Sequence, residues 1–97
     1  MKRLASLFVS LVCLTAAYAA NQFVKLTGDD NQDGLSWTTA KYSIQAAIEA
    51  AMDGDTVKIA EGVYNQSIKT KKPVHLFGGY SAITGERNPE TYFTILD

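Results

Sequence analysis

The sequence predicts a mainly β fold in which one capping helix is followed by short strands that stack in parallel, as in a coil, behind a signal peptide. Three observations predict this class. Residues 1–19 form an apolar leader, residues 43–53 carry the only helical periodicity, and the segments after Gly54 alternate with a period of two. The chain therefore divides into a signal peptide at 1–19 and a folded part at 20–97.

The leader has the layout of a secretory signal peptide. A basic start, Lys2 and Arg3, precedes the uncharged apolar run Leu4–Ala16, and Ala17–Ala19 fits an A-x-A cleavage site. A membrane anchor is the alternative, but the uncharged run is only marginally long enough for the ~20 residues that a spanning helix needs. We expect cleavage after Ala19, a secreted or cell-envelope location (periplasm or outer surface), and no membrane span after signal removal.

Composition excludes several classes of partner and chemistry. The only cysteine, Cys13, lies in the leader, so the exported chain has no internal disulfide. Loss of Lys2 and Arg3 leaves seven basic against ten acidic side chains. This mildly acidic balance argues against nucleic acid or an anionic membrane as a partner.

The first folded elements are a strand and a turn. Gln22 to Thr27 alternates loosely and predicts a short strand. Gly28 to Gly34 contains glycine, aspartate and asparagine without an apolar residue, which is typical of a turn.

The segment at about 43–53 predicts the one helix. Ile44, Ala47, Ile48 and Ala51 recur at i, i+3, i+4 and i+7, which places them on one face. Ser43 and Gly54 lie at its two ends: Ser43 is a suitable N-cap, and Gly54 suits the left-handed residue that ends a helix.

Short strands follow the helix. They are predicted at Val57–Ile59, Ser67–Lys69, Val74–Leu76 and Tyr92–Leu96. No Asn-Gly or Asp-Gly joins any pair of them, as a tight hairpin would prefer. The turns instead suit the corners of a three-sided coil, in which Val57–Ile59 would pair with Thr94–Leu96 one circuit later.

Several motifs together resemble secreted right-handed parallel β-helix proteins of the pectin-lyase-like type. They are Asp33-Gly34-x-Ser36-Trp37-x-Thr39-Ala40, Ile44-Gln45-x-Ala47-Ile48, Gly54-Asp55-Thr56-Val57, Gly62-x-Tyr64, Gly78-Gly79-Tyr80 and Thr94-Ile95-Leu96-Asp97. The resemblance covers about Phe23 to Asp97 and implies the start of a right-handed parallel β-helix, about one coil, with an N-terminal capping helix.

Members of that family continue for many more coils. Each coil of a solenoid is supported by its neighbours, and about three repeats are usually needed for stability. We therefore expect a truncated product, a fragment of a split gene, or an N-terminal module that needs a second chain. A bare strand edge at the end of the stack would invite pairing with another chain.

The loop Asp29–Gly34 is a candidate calcium site. Asp29, Asn31 and Asp33 place oxygen ligands at positions 1, 3 and 5, and Gly34 follows at position 6. Position 12 is Ala40 where a bidentate glutamate is required. The alternative, which we favour, is a turn whose side chains accept local backbone N–H groups.

Catalytic groups are hard to find in this sequence. Asp53 and Asp55 flank a turn glycine, and Lys58 is expected to face outward from its strand. His75 has no Cys, Ser or Asp pattern near it in the sequence, and we predict that it is a surface residue. Trp37 can stack on a sugar ring, although such a tryptophan more often fills a gap beside a core.

The sequence thus predicts an exported, non-enzymatic segment associated with carbohydrate or a cell surface, with carbohydrate or another chain at the open β edge as partner. One alternative is the N-terminal part of a polysaccharide lyase or glycoside hydrolase that lacks its catalytic coils. A second alternative is a small calcium-binding extracellular module.

Overall fold

Five short strands and one helix are arranged along residues 20–96, the part of the chain that the computed structural model describes. The elements in chain order are β1 (Asn21–Val24), α1 (Ile44–Ala50), β2 (Thr56–Ala60), β3 (Gly62–Tyr64), β4 (His75–Tyr80) and β5 (Thr94–Leu96). The predicted signal peptide at 1–19 lies outside the described residues, as does Asp97. Within the described part, no helix has the length and apolar character needed to cross a bilayer.

The strands form two separate parallel sheets. The larger has the order β1-β2-β4, and the smaller pairs β3 with β5. In the larger sheet Val57 pairs with Gln22 on one side and with Leu76 on the other. An irregularity between Lys58 and Ala60 then shifts the register of β4, so that Ala60 pairs with Tyr80.

The core lies between these sheets and the helix. Its buried residues are Val24, Ile44, Ala47, Ile48, Val57, Ile59 and Tyr64. Tyr64 is fully buried and its hydroxyl donates to the carbonyl of Ala60 at 2.9 Å. Burial raises the pKa of Tyr64 to about 12 because an apolar surrounding disfavours the phenolate.

Helix α1 confirms the predicted periodicity but is shorter than predicted. Ser43 is the N-cap, and its hydroxyl accepts from the backbone N–H of Ala46 at 3.1 Å. The helix ends at Ala50 rather than near 53, because Ala51 adopts an extended conformation. Gly54 does have a positive φ of 88°, but it shapes the turn into β2 instead of ending the helix.

The ammonium group of Lys72 completes the end of α1. It donates to the carbonyls of Ile48, Glu49 and Ala51 at 3.2, 2.8 and 2.9 Å. These carbonyls belong to the last turn, where helices leave acceptors without intrahelical partners and where positive charge is favoured. Lys72 therefore acts as a C-terminal cap supplied from a distant loop.

The predicted right-handed parallel β-helix is wrong for this chain. Short strands in two small parallel sheets, with one short helix, are what residues 20–96 form, and no solenoid coil is evident in them. The predicted pairing of Val57–Ile59 with Thr94–Leu96 is also wrong. β2 pairs with β1 and β4, whereas β5 pairs with β3.

The segment at 65–74 explains the difference. A coil needs a strand there, and Ser67–Lys69 was predicted to supply it, but the structure has no strand between β3 and β4. The side chain of Gln45 instead takes both backbone groups of Lys69, donating to its carbonyl at 2.9 Å and accepting from its N–H at 2.8 Å. Gln66 accepts from the N–H of Ile44 at 2.8 Å. The segment is thus bound to the helix rather than to a third sheet.

Candidate functional site

A row of large side chains crosses the outer face of the three-stranded sheet. Phe23 pairs with Lys58, and Lys58 pairs with Phe77, so the three lie side by side on β1, β2 and β4. Their inward neighbours on β1 and β2, Val24 and Val57, are fully buried. Because side chains alternate along a strand, the row projects away from the core.

Three further residues extend the row. Trp37, Tyr80 and Arg87 come from the loop after the Asp-rich turn, the end of β4 and the loop after β4. We name the six residues together the aromatic–cationic face: Phe23, Trp37, Lys58, Phe77, Tyr80 and Arg87. It joins residues that are far apart in sequence on one surface.

The two cations of this face lie over aromatic rings. The Lys58 ammonium is 5.6 Å from the centroid of Phe23 and 5.6 Å from that of Tyr80. The guanidinium carbon of Arg87 is 5.2 Å from the centroid of Phe77 and 5.9 Å from that of Tyr80. Each distance lies within the range of a cation–π interaction, which stabilises an exposed site by about 0.5–1 kcal/mol.

Trp37 anchors the face from the side. Its ring meets Phe23 edge-on, with centroids 4.8 Å apart and planes at 70°, and is tilted against Tyr80 at 5.7 Å. Gly85 lies beside its indole nitrogen: a Cβ there would be in ordinary van der Waals contact, 3.5 Å from Nε1. Trp37 is half-buried and packs between elements, which agrees with the gap-filling alternative. Phe77 is more exposed than Trp37, with 42% of its surface accessible to solvent.

The candidate calcium ligands all lie in the loop after β1. Asp29 accepts the N–H of Asn31 at 2.8 Å, and Asp33 accepts the N–H of Leu35 at 2.9 Å and the hydroxyl of Thr39 at 2.7 Å. In the described part of the chain, no group of three or more His, Cys, Asp or Glu side chains is placed to hold a metal ion. These contacts fit the predicted turn, and calcium binding by Asp29, Asn31 and Asp33 stays a prediction.

The same loop contains an internal cation. The buried side chain of Lys41 donates its ammonium to the carbonyls of Asp30 and Gln32 at 3.0 and 2.6 Å. Such carbonyls would be the natural ligands of a metal. The Lys41 ammonium therefore already donates hydrogen bonds to the loop carbonyls that a metal would use.

Asp30 connects this loop to the start of α1. Its carboxylate accepts the N–H groups of Tyr42 and Ser43 at 2.9 and 2.7 Å, and the Ser43 hydroxyl at 2.9 Å. Burial alone would raise the pKa of Asp30, but these hydrogen bonds outweigh it and lower that pKa below its ordinary value. The pKa of Asp33 is lowered as well, chiefly by the N–H of Leu35 and the hydroxyl of Thr39.

The two carboxylates considered for catalysis do not form a pair. Asp55 is buried, and its two oxygens accept the N–H groups of Ala20 and Met52 at 2.8 and 2.9 Å. Through these two hydrogen bonds Asp55 holds the turn before β2. Asp53 is exposed, and so is His75, whose ring stacks on Phe77 with centroids 6.4 Å apart.

A cavity of about 220 Å³ opens at the carboxyl ends of β1, β2 and β4. It is lined by Lys25, Leu26, Thr27, Ala60, Glu61, Ser81, Ala82 and Ile83. Ile83 is almost fully exposed and Leu26 is 40% exposed. The cavity is separate from the aromatic–cationic face, with which it shares no residue.

Comparisons with known proteins returned no match to this chain among protein-family models, curated proteins or solved structures. Nothing in them identifies a pectin-lyase-like relative, so the family resemblance stays a prediction from the sequence.

The residues of this face were mostly missed from the sequence. Trp37 was considered as a sugar-stacking residue and Lys58 was predicted to face outward. Tyr80 was noted only as part of the Gly78-Gly79-Tyr80 motif, and Phe23, Phe77 and Arg87 were not considered as site residues. The missing information was the register: Phe23 and Phe77 are neighbours of Lys58 only because β1 and β4 both pair with β2. An aromatic residue on the outward phase of each flanking strand was the available signal.

Proposed function

We propose that this chain is an exported, non-enzymatic module that binds carbohydrate through the aromatic–cationic face. The observation that carries the proposal is the register-aligned row Phe23, Lys58 and Phe77 on the outer side of the sheet. Aromatic rings offer a large, rigid apolar surface at a low cost in conformational entropy. The C–H face of a pyranose ring is a fitting partner for such a surface.

The cations supply the polar part of the contact. Lys58 and Arg87 lie above the rings and form no ion pair within residues 20–96. Their N–H groups can donate to sugar hydroxyls, since lysine and arginine have donors and no acceptors. A sheet surface that combines rings and donors suits a polysaccharide chain lying across the strands.

The carboxylates support a binding role over a catalytic one. Both oxygens of Asp55 accept backbone N–H groups, and Asp30 and Asp33 accept several hydrogen bonds within their loop. A glycosidase needs two carboxylates on either side of the scissile bond. Asp30, Asp33 and Asp55 hold the fold in place instead.

A matched pair of phenylalanine variants tests the proposal. The exported chain is titrated with a panel of neutral and acidic polysaccharides in affinity electrophoresis and calorimetry. We expect Phe77→Ala to weaken the binding of any bound polysaccharide by about fivefold, because an aromatic contact is worth about 0.5–1.5 kcal/mol. Phe93→Ala is the control, because Phe93 is 62% exposed but lies off the face. Absence of binding to every polysaccharide, or equal losses in both variants, would refute the proposal.

A second candidate function is pairing with another chain at the open strand edges. Leu76 of β4 pairs with the fully buried Val57, and Leu96 of β5 pairs with the fully buried Tyr64. The two leucines are nevertheless 38% and 52% exposed. No further strand of residues 20–96 extends either sheet beyond β4 or β5. An added strand would cover both the backbone edge and these apolar side chains.

Sedimentation equilibrium tests this second candidate. A strand-pairing chain should associate as its concentration rises, and Leu96→Lys should shift the equilibrium toward monomer because charge opposes edge pairing. Thr91→Lys, at an exposed position before β5, adds the same charge away from that edge. A chain that stays monomeric across the accessible concentration range would rule out self-pairing.

A further inference from the structure

We infer that the aromatic–cationic face selects carbohydrate chains that bear carboxylate or sulfate groups over neutral chains. This inference rests on the proposed function, since it names the class of sugar that the same face binds. Its basis is the placement of two cations, Lys58 and Arg87, above the rings that would contact the sugar. A surface of aromatic side chains without cations would bind neutral and charged sugars with equal affinity.

Arg87 is positioned to receive an oxyanion. Its Nε donates to the carbonyl of Gly78 at 2.9 Å, and the guanidinium carbon lies over Phe77 and Tyr80. The terminal amino groups form no hydrogen bond within residues 20–96. A guanidinium held at one edge still presents a donor fork, which matches the paired oxygens of a carboxylate or sulfate.

Lys58 places a second charge farther along the same row. Its ammonium is equally distant from the centroids of Phe23 and Tyr80, at 5.6 Å each. Tyr80 is therefore flanked by both cations, Lys58 and Arg87. Two charges on one ring surface suit a repeating anion, as in a polysaccharide with one acidic group on each sugar.

The overall charge of the chain does not supply this attraction. The exported chain has seven basic against ten acidic side chains, so its long-range field does not draw in an anion. At physiological ionic strength, charges beyond roughly 8 Å are largely screened. Selectivity for an acidic sugar must therefore come from the local pair of cations.

Polysaccharides with the same backbone and different charge test the inference. Dextran is compared with dextran sulfate, and the propylene glycol ester of alginate with alginate, by affinity electrophoresis and calorimetry of the exported chain. The first pair tests sulfate and the second tests carboxylate. We expect the charged member of at least one pair to bind about tenfold more tightly, as one charge-assisted hydrogen bond contributes about 1.5–3 kcal/mol. Binding should also weaken as salt rises from 50 to 200 mM.

Variants separate a built site from general attraction. Arg87→Gln should reduce binding of the charged member about tenfold, and Arg87→Lys should restore part of the loss because the charge returns without the fork. Lys58→Gln tests the second cation, with a thermal melt confirming that the half-buried position tolerates the change. Lys71→Gln removes an exposed lysine away from the face and should leave binding unchanged.

Each outcome decides between the two proposals. Equal binding of neutral and charged members overturns the inference and leaves the proposed function standing. Absence of binding to every polysaccharide overturns both. An Arg87→Gln variant that binds like the parent, or a Lys71→Gln variant that loses as much as Arg87→Gln, would show that the cations of this face do not select the sugar.

Discussion

The two ends of this molecule differ in whether the backbone of the edge strand is covered. At the β1 edge, the segment 34–41 covers the backbone: the N–H of Phe23 donates to the carbonyl of Gly34 at 2.8 Å, and the N–H of Lys41 donates to the carbonyl of Phe23 at 2.9 Å. Helix α1 adds Ile44, Ala47 and Ile48 to the buried core. At the other end, β4 and β5 are the last strands of their sheets among residues 20–96.

The contrast is clearest for side chains in one register. Val57 of β2 pairs with Gln22 of β1 on one side and with Leu76 of β4 on the other. Gln22 is 5% exposed and Val57 is 0% exposed, whereas Leu76 is 38% exposed. A side chain on the inward-facing side of a strand is therefore not always buried. Burial also needs a neighbouring layer, which α1 provides for β1 and β2.

The largest test of this comparison uses one substitution at both ends. Ile44→Ala should lower the free energy of unfolding by about 2–5 kcal/mol, because Ile44 is fully buried and its loss leaves a cavity. Ile95→Ala should change it by less than about 0.5 kcal/mol, because Ile95 is 51% exposed. Urea denaturation followed by circular dichroism measures both. Similar losses at the two positions would show that the open end is as tightly packed as the covered one.

Sequence periodicity predicted the covered end better than the open end. The spacing of Ile44, Ala47 and Ile48 predicted their common buried face, and Ser43 was correctly identified as the N-cap. These features depend on contacts between residues close in sequence. The predicted alternation of Val57, Lys58 and Ile59 in β2 was also confirmed.

Long-range pairing could not be predicted in the same way. The alternation of Val57 and Ile59 does not indicate which strands lie on either side, and the expected partner Thr94–Leu96 was wrong. Ser67–Lys69 was predicted as a strand, but the side-chain amide of Gln45 binds the backbone of Lys69 instead. These two residues are 24 positions apart in sequence. The aromatic–cationic face depends on the same pairings, which is why only Trp37 and the outward Lys58 were anticipated.

The next prediction removes the cap that holds the covered end. Lys72→Met should destabilise the chain by about 1–3 kcal/mol, because the Lys72 ammonium donates to three carbonyls of the last helical turn. Lys71→Met removes the neighbouring exposed lysine and should cost less than about 0.5 kcal/mol. Thermal and urea denaturation measure the difference. Equal effects of the two variants would indicate that Lys72 contributes only surface charge.

A prediction of alkaline behaviour tests the core between the two ends. Burial raises the pKa of Tyr64 from 10.0 to about 12, so folding favours the protonated phenol. This contribution is complete below pH 10.0 and is lost as the pH rises toward about 12. Tyr64→Phe has no phenol to ionise and should show a flatter loss of stability over that range. Tyr42→Phe, at a 47% exposed tyrosine, is the control. An unchanged alkaline slope in Tyr64→Phe would argue that solvent reaches Tyr64 from the open end.

The smallest expected effect concerns the acid side and the covered end alone. The folded-state pKa of Asp30 is lowered from 3.8 by the N–H groups of Tyr42 and Ser43 and by the Ser43 hydroxyl, despite the opposing effect of burial. Its stabilising contribution is therefore present above pH 3.8 and is lost as the pH falls through the folded-state value. Asp30→Asn keeps an acceptor oxygen but has no charge to lose, so its stability should fall less steeply on acidification.

The acid slope should flatten only in part, because Asp33 has a lowered pKa in the same loop. Asp53→Asn, which changes an exposed carboxylate between the helix and β2, provides the control. Urea midpoints measured from pH 7 to pH 2 compare the three chains. If Asp30→Asn and Asp53→Asn gave the same slope, the hydrogen bonds of Asp30 would not anchor the start of α1. The covered end would then owe its stability to Ile44, Ala47 and Ile48 and to the Lys72 cap, which the first two predictions measure separately.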